Sequence, residues 1–222
     1  MIIVRRLWVA LILTSSVFAL GGCNTPSELP PLADFEGEAQ LPGKFVWHNL
    51  ITADPEAARL FYGELFGWDF KVEDDGGYSV ITYRGRNIGG IVDATRRRKK
   101  PKRAQWLSAV SVPDLDSTLR ALETAGGTQL ESPVDVPGIG RVVTVVDTGG
   151  ALLHLLSPSK SDPPDRDPVV HEWLWHELLA NDIEGALLFY QTAFGYDVKE
   201  VARESGRAYH CLLYTSPSPR DH

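Results

Sequence analysis

The sequence predicts an α+β fold built from repeated βαβββ units, each with one helix beside a small set of strands. Residues 47–71 read WHNLITADPEAARLFYGELFGWDFK, and residues 175–199 read WHELLANDIEGALLFYQTAFGYDVK. Thirteen of these 25 positions match at an offset of 128 residues, without a gap. A repeat of this length indicates a duplicated structural unit. Apolar strand patterns after the first copy then complete the unit.

The first unit begins with an apolar and aromatic run at 45–52, which predicts a strand. Asp54 and Pro55 suit the N-cap and the first position of a helix. Gly67 ends that helix in the favoured way. Further strands are predicted at 69–73, 78–83 and 87–93. The apolar stripe of the helix recurs at spacings of three and four and comprises Ala57, Ala58, Phe61, Tyr62 and Leu65.

The same order returns in a more diverged form in the next stretch of the chain. A strand is predicted at 104–112 and a helix at 115–125, with Gly126 at its end. Strands follow at 128–136, 141–147 and 151–156. A third unit begins near Val169, with a strand, a helix and a further strand at 197–202.

The motif D-x-E-x-A-x-x-F-Y-x-x-x-F-G at 54–67, with W-H-x-L before it, resembles the vicinal-oxygen-chelate superfamily. That family includes glyoxalase I, bleomycin-resistance proteins and extradiol dioxygenases. The phrases VDVPGIGR and DTGGA at 134–141 and 147–151 resemble its double-domain bacterial subgroup. In the family, paired units form a U-shaped mixed sheet around a small-molecule cavity. The resemblance implies a domain at 44–158 with units 44–95 and 104–158, a linker at 159–168 and a truncated third unit at 169–210.

The N-terminal residues 1–23 resemble a bacterial lipoprotein signal peptide. Arg5 and Arg6 precede an apolar stretch at 7–20 that is short for a membrane span, and LGGC at 20–23 resembles a lipobox. The resemblance implies a lipidated Cys23, attachment to the membrane and a periplasm-facing position, on the outer membrane in a Gram-negative host. An ordinary secretory signal is the alternative. Residues 24–43 are expected to form a flexible tether.

At the other end, residues 211–222 resemble a translated sequencing adapter, and a natural tail rich in proline and serine is the alternative. With Cys23 lipidated and Cys211 part of an adapter, the folded part has no cysteine, which excludes disulfides and thiol catalysis.

Charge and composition limit the partners of this chain. The net charge of −7 argues against general nucleic-acid binding, and 43% hydrophobic residues support a packed core. The basic run RRRKKPKR at 96–103 is a local exception. Three interpretations of this run are open: a solvated linker loop, a contact for anionic lipid headgroups or a contact for nucleic acid.

The resemblance also implies where a divalent metal (Zn, Ni, Mn or Fe) would bind, since metal-dependent members take ligands from the first and last strands of each unit. His154, seven residues after Asp147, stands where relatives carry a ligand glutamate; its alternative role is to line the cavity as a hydrogen-bond donor. In the first strand, the resemblance implies a ligand seven residues before the helix-capping Asp54, and that position is Trp47. Because strand side chains alternate between faces, the neighbouring His48 becomes a second ligand only if a bulge turns it inward. Leu107 and the segment 87–90 supply no ligand, and a full metal-binding set is not visible.

Aromatic and polar residues on the predicted strands suit a cavity for flat organic ligands, and the alternative is that the aromatic ones belong to the ordinary core. Three functions follow: a glyoxalase-like protein that binds an aromatic or oxygenated metabolite, a metal-dependent lyase or dioxygenase, or an envelope interaction protein with a filled cavity. Because relatives exchange units between chains, the resemblance also allows a homodimer. The residues predicted to line the cavity are Trp47, Asn49, Tyr78, Tyr83, Trp106, His154 and Glu177.

Overall fold

A computed structural model describes residues 39–73, 76–97, 103–167, 169–201 and 209–214. It confirms the α+β class with a mixed sheet. The predicted lipidation site Cys23 and most of the tether lie outside the described residues. The first unit comprises β1 (Phe45–Thr52), α1 (Pro55–Phe66), β2 (Asp69–Val72), β3 (Tyr78–Tyr83) and β4 (Arg86–Asp93), followed by a short 3-10 helix (Ala94–Arg96).

The second unit repeats this order with one difference. The strand predicted at 128–136 is split in two, because Pro133 has no N–H to donate to a strand ladder. The elements are β5 (Gln105–Ser111), α2 (Leu115–Thr124), β6 (Thr128–Gln129), β7 (Val134–Val136), β8 (Gly140–Val146) and β9 (Leu152–Pro158).

The two units share one sheet whose strand order is symmetrical about its centre. The order is β2-β3-β4-β1-β5-β9-β8-β6, with β7 paired to β8. The first strands β1 and β5 are antiparallel neighbours, and each pairs in parallel with the last strand of its own unit. The join between the units therefore lies at the middle of the sheet.

Local sequence accounts for the ends of α1. The Asp54 side chain accepts a hydrogen bond from the backbone N–H of Ala57 at 3.0 Å, which satisfies one of the free donors at the helix start. Gly67 adopts the left-handed conformation (φ 68°) that closes the helix. Both predicted ends of this helix are confirmed.

The alternation of strand side chains gives the sheet two faces. Both α1 and α2 pack on one side, here called the helix-bearing face, where Leu50 and Ile81 lie beneath α1 and Leu155 lies beneath α2. Trp47 and Leu156 lie on the opposite side, called the inner face. A register irregularity at the start of β1 breaks strict alternation there.

The third unit consists of α3 (Ile183–Phe194) and a two-stranded sheet of β10 (Asp197–Val201) and β11 (Tyr209–Leu213). Its helix packs against α2. The strand predicted at the start of this unit is wrong, since residues 172–180 have no strand structure. A strand needs a partner for its N–H and C=O groups, and this segment has no strand partner among the described residues. None of the described helices is long and apolar enough to cross a membrane.

Candidate functional site

Three polar side chains of the first unit meet on the inner face. The Trp47 indole Nε1–H lies 3.0 Å from Tyr78 Oη and 3.2 Å from Asn49 Oδ1. Tyr78 Oη in turn donates to Asn49 Oδ1 at 3.0 Å. Strand β1 supplies Trp47 and Asn49 two positions apart, and β3 supplies Tyr78. The three groups form a closed hydrogen-bonded set, called the WNY cluster.

The chemistry of the WNY cluster fixes the orientation of the Asn49 amide. An indole nitrogen only donates, so the Asn49 atom facing Trp47 must be the oxygen. With Oδ1 held by two donors, the amide nitrogen Nδ2 is left to donate elsewhere. Asn49 is half-buried and so remains within reach of a ligand. Burial raises the pKa of Tyr78 well above its usual range, so the phenol stays protonated.

The second unit contributes His154 on the same face. Strand pairing places His154 beside Ala109, which itself lies beside Trp47. Burial is the main cause that lowers the pKa of His154 to about 4, and the positive charge of Arg97 adds to it, while Glu131 acts in the opposite sense. The imidazole is therefore neutral at physiological pH, with one nitrogen to donate and one to accept.

Two further residues near His154 were not predicted from the sequence. Thr144 pairs with His154 across β8 and β9, and its hydroxyl donates to the carboxylate of Glu131. Glu131 lies in the loop between β6 and β7 that the sequence predicted as strand. The signal that could have found Thr144 is its position as the one polar side chain within the apolar run VVTVV at 142–146.

His48 lies on the helix-bearing face, away from the WNY cluster. Its ring packs against Trp173 at 4.2 Å and stacks on His176 at 4.9 Å, and its Nδ1 lies 3.0 Å from the Ser108 hydroxyl. Burial, and secondarily the neighbouring His176, lowers the pKa of His48 to about 3. Since His48 and His154 project from opposite faces of the sheet, the predicted metal pair is wrong.

A divalent metal does not fit the residues of the inner face. Transition metals bind imidazole, carboxylate and thiolate groups, whereas the first strands of the two units present Trp47 and Leu107 there. Within the described ranges, no three His, Cys, Asp or Glu side chains converge in a way that could hold an ion. His154 and Glu131 are the two metal-binding types that we identify near this face.

The structure also corrects three residues predicted to line the cavity. Trp106 lies on the helix-bearing face, where its Nε1 donates to Tyr62 Oη at 3.1 Å, and Tyr83 belongs to the same cluster beneath α1. Tyr83 is an odd number of positions from Tyr78, so alternation turns it to the other side. Glu177 is exposed and accepts a hydrogen bond from Tyr209, away from the WNY cluster.

Comparison with known proteins supports the fold. The sequence model of the glyoxalase/bleomycin resistance protein/dioxygenase superfamily matches residues 44–155. Homoprotocatechuate 2,3-dioxygenase from Brevibacterium fuscum, solved with 3,4-dihydroxyphenylacetate, superposes with a TM-score of 0.51 at 15% identity. That match covers 80% of this chain and 60% of the dioxygenase. At such low identity, the likeness concerns the fold alone.

The curated relatives are more similar in sequence. The anthracycline biosynthesis protein DauV of a Streptomyces species is 28% identical over 177 residues, which cover 73% of this chain and 64% of the relative. The putative glyoxylase CFP32 of Mycobacterium tuberculosis is 26% identical over 120 residues, which cover 53% and 45%. The chain thus spans about two thirds or less of these relatives.

The family match extends over half of the chain and coincides with the two units of the symmetrical sheet. The chain belongs to the glyoxalase/bleomycin resistance protein/dioxygenase superfamily.

Proposed function

We propose that the inner face binds a flat, oxygenated aromatic metabolite and does so without a metal ion. The observation that carries this proposal is the WNY cluster, because it presents an amide donor beside two aromatic side chains. The Asn49 Nδ2 group donates to a carbonyl or phenolic oxygen of the ligand. The partly buried Tyr78 ring supplies apolar surface against which a planar molecule packs, and the buried Trp47 holds the Asn49 amide in place.

The positions of Asn49 and His154 suit a molecule with fused rings. The strands β1 and β9 are separated by β5, and His154 is level with Trp47, two residues along β1 from Asn49. The Asn49 and His154 side chains therefore stand about 12 Å apart. A ligand that reaches both groups needs oxygen atoms at two ends of an extended ring system. The relatives DauV and DnrV carry the name of anthracycline biosynthesis proteins, which supports a ligand of this polycyclic class.

The cellular setting remains part of the proposal. We place the domain on a lipid anchor at Cys23, facing the periplasm, where it meets amphipathic aromatic compounds near the membrane. The lipobox-like LGGC at 20–23 supports this placement, and the net charge of −7 disfavours nucleic acid as a partner. The family resemblance implies that units can be exchanged between chains, so the proposal includes a homodimer.

Ligand titration of the full chain, followed by quenching of tryptophan fluorescence, tests the proposal. The probes are a hydroxylated anthraquinone and a simple catechol. We expect saturable binding of the anthraquinone, about tenfold weaker in Asn49→Leu because one hydrogen bond is lost. Tyr83→Phe on the helix-bearing face is the matched control and should bind as the parent does. Equal binding by Asn49→Leu and the parent would contradict the assignment.

A metal titration on the same samples distinguishes the lyase or dioxygenase alternative. We expect no tight binding of Zn, Ni, Mn or Fe, and ligand affinity that is unchanged by a chelator. Stoichiometric metal that is lost in His154→Ala would instead favour a metal-dependent enzyme. Absence of any ligand binding, with an intact fold, would favour an envelope interaction protein.

A further inference from the structure

The first and third units contact each other through two pairs of rings that are related by the repeat. The Phe45 ring stacks on His176 at 4.2 Å, and the Trp173 ring packs against His48 at the same distance. Phe45 and Trp173 are equivalent positions of the repeat, 128 residues apart, and so are His48 and His176. Equivalent residues that exchange partners define an approximate two-fold axis between the units.

A second pair of contacts follows the same symmetry. The Trp68 indole donates to the carbonyl oxygen of His171 at 2.7 Å, and the Tyr196 hydroxyl donates to that of Gly43. Trp68 corresponds to Tyr196, and Gly43 corresponds to His171. Both acceptor residues have positive φ angles, +88° and +73°. The symmetry thus extends from the rings to the backbone.

The symmetry makes α1 and α3 equivalent helices, so their surroundings can be compared. Helix α3 is covered by α2, and its residues Phe189 and Ala193 are only 1% and 8% exposed. The equivalent residues of α1, Phe61 and Leu65, are 57% and 54% exposed. Within the described part of the chain, the face that α2 covers on α3 is therefore open on α1.

A cavity of about 390 Å³ adjoins the open face of α1, and it is lined mainly by Tyr62, Phe66, Trp68, Trp106 and the segment 171–173. The residues equivalent to Tyr62, Phe66 and Trp68 are Tyr190, Phe194 and Tyr196. These three belong to the core that contains Leu119 and Leu122 of α2. The cavity therefore marks a place that a helix of the α2 type fills on the other side of the axis.

We propose that the α1 face and this aromatic cavity form a docking site for the helix of another βαβββ unit, of the same type as the second unit. The occupant presents an apolar face like that of Leu115, Leu119 and Leu122. A second copy of this chain is a poorer occupant, because its own α3 already covers its α2.

The symmetry also predicts which exposed apolar residue stays outside the interface. Leu60 is 64% exposed, and its equivalent Leu188 is 67% exposed although α3 is already covered. Docking should therefore bury Phe61 and Leu65 and leave Leu60 in solvent. This difference provides a matched control on the same helix, with a similar change in surface polarity.

The probe is a fluorescent peptide with the α2 sequence of residues 113–127, held helical by a staple between the exposed positions 116 and 120. Its binding to the full chain is followed by fluorescence anisotropy. We expect saturable binding that weakens about tenfold or more in Phe61→Asp and Leu65→Asp and is unchanged in Leu60→Asp. A peptide carrying Asp at positions 119 and 122 should not bind. Circular dichroism verifies that each variant is folded.

Three results would overturn the proposal: no binding of the stapled peptide to the folded chain, equal binding by Phe61→Asp, or an equal loss in Leu60→Asp. Sedimentation velocity adds a fourth. If the chain forms a dimer that Phe61→Asp dissociates, the α1 face pairs with a second copy and the assigned occupant is wrong.

Discussion

His171 adopts a left-handed backbone conformation, and the equivalent position in the first unit is a glycine, Gly43. Its φ angle is +73°, in the left-handed region that side chains with a Cβ rarely adopt. The carbonyl of this residue accepts the Trp68 hydrogen bond, so the contact holds the residue in that conformation. The cost is of the order of 1 kcal/mol.

Replacing His171 with glycine should therefore stabilise the chain by about 0.5–1 kcal/mol, since the left-handed strain is removed. Gly43→Ala should act in the opposite sense and more strongly, because its new Cβ would lie 2.6 Å from the Tyr196 ring. Urea unfolding followed by tryptophan fluorescence measures both effects. A destabilised His171→Gly would show that its ring contacts with Phe66 and Tyr83 outweigh the strain.

At the scale of the element, both helices of the first domain start on an aspartate cap. Asp54 accepts from the N–H of Ala57, and Asp114 accepts from the N–H of Ser117 at 2.6 Å. Asp54→Ala and Asp114→Ala should each lower the free energy of unfolding by about 1 kcal/mol. Asp54→Asn keeps an acceptor and should lose much less. Thermal unfolding followed by circular dichroism compares the three, and equal losses in Asp54→Ala and Asp54→Asn would contradict a capping role.

Helix ends were predictable because their causes are local. An N-cap, an early proline and a final glycine act within a few residues, and the structure confirms the predicted ends of α1. The strand at the start of the third unit was not predictable in the same way, because strand structure depends on a distant partner. The split of the strand predicted at 128–136 follows from Pro133, a local signal that the apolar pattern overrode.

The candidate site was predictable only in part. The sequence placed Trp47 and Asn49 on one face of β1, where the structure also has them, since that inference needed only alternation within one strand. Alternation within one strand would also have placed Trp106 and Tyr83 correctly, because Trp106 is adjacent to the inward-facing Leu107 and Tyr83 is five positions from Tyr78. Glu131 could not be found, because a loop brings it to Thr144.

At the scale of the whole molecule, two buried histidines link stability to pH. The folded pKa values of His48 and His154 are about 3 and about 4, below the ordinary value of 6.5. Between these values and 6.5, the unfolded chain binds more protons than the folded chain. Stability should therefore be complete above pH 6.5 and fall as the pH decreases, by up to about 1.4 kcal/mol per pH unit for each histidine.

Urea unfolding between pH 7.5 and pH 4.5 measures this dependence. His48→Gln and His154→Gln should each be less stable at neutral pH but show a shallower slope below pH 6.5. A slope that is identical in the parent and both variants would mean that other groups, such as carboxylates, cause the acid sensitivity.

One glycine next to the WNY cluster limits how this protein could change. A Cβ at Gly90 would lie 1.9 Å from Tyr78 Oη and 2.7 Å from Asn49 Oδ1. Position 90 pairs with Asn49 on the last strand of the first unit, one of the strands on which the family resemblance implies a metal ligand. Any residue able to bind an ion there would displace Tyr78 or Asn49. A metal ligand at position 90 and the intact WNY cluster therefore exclude each other, so the glycine that leaves room for the one forbids the other.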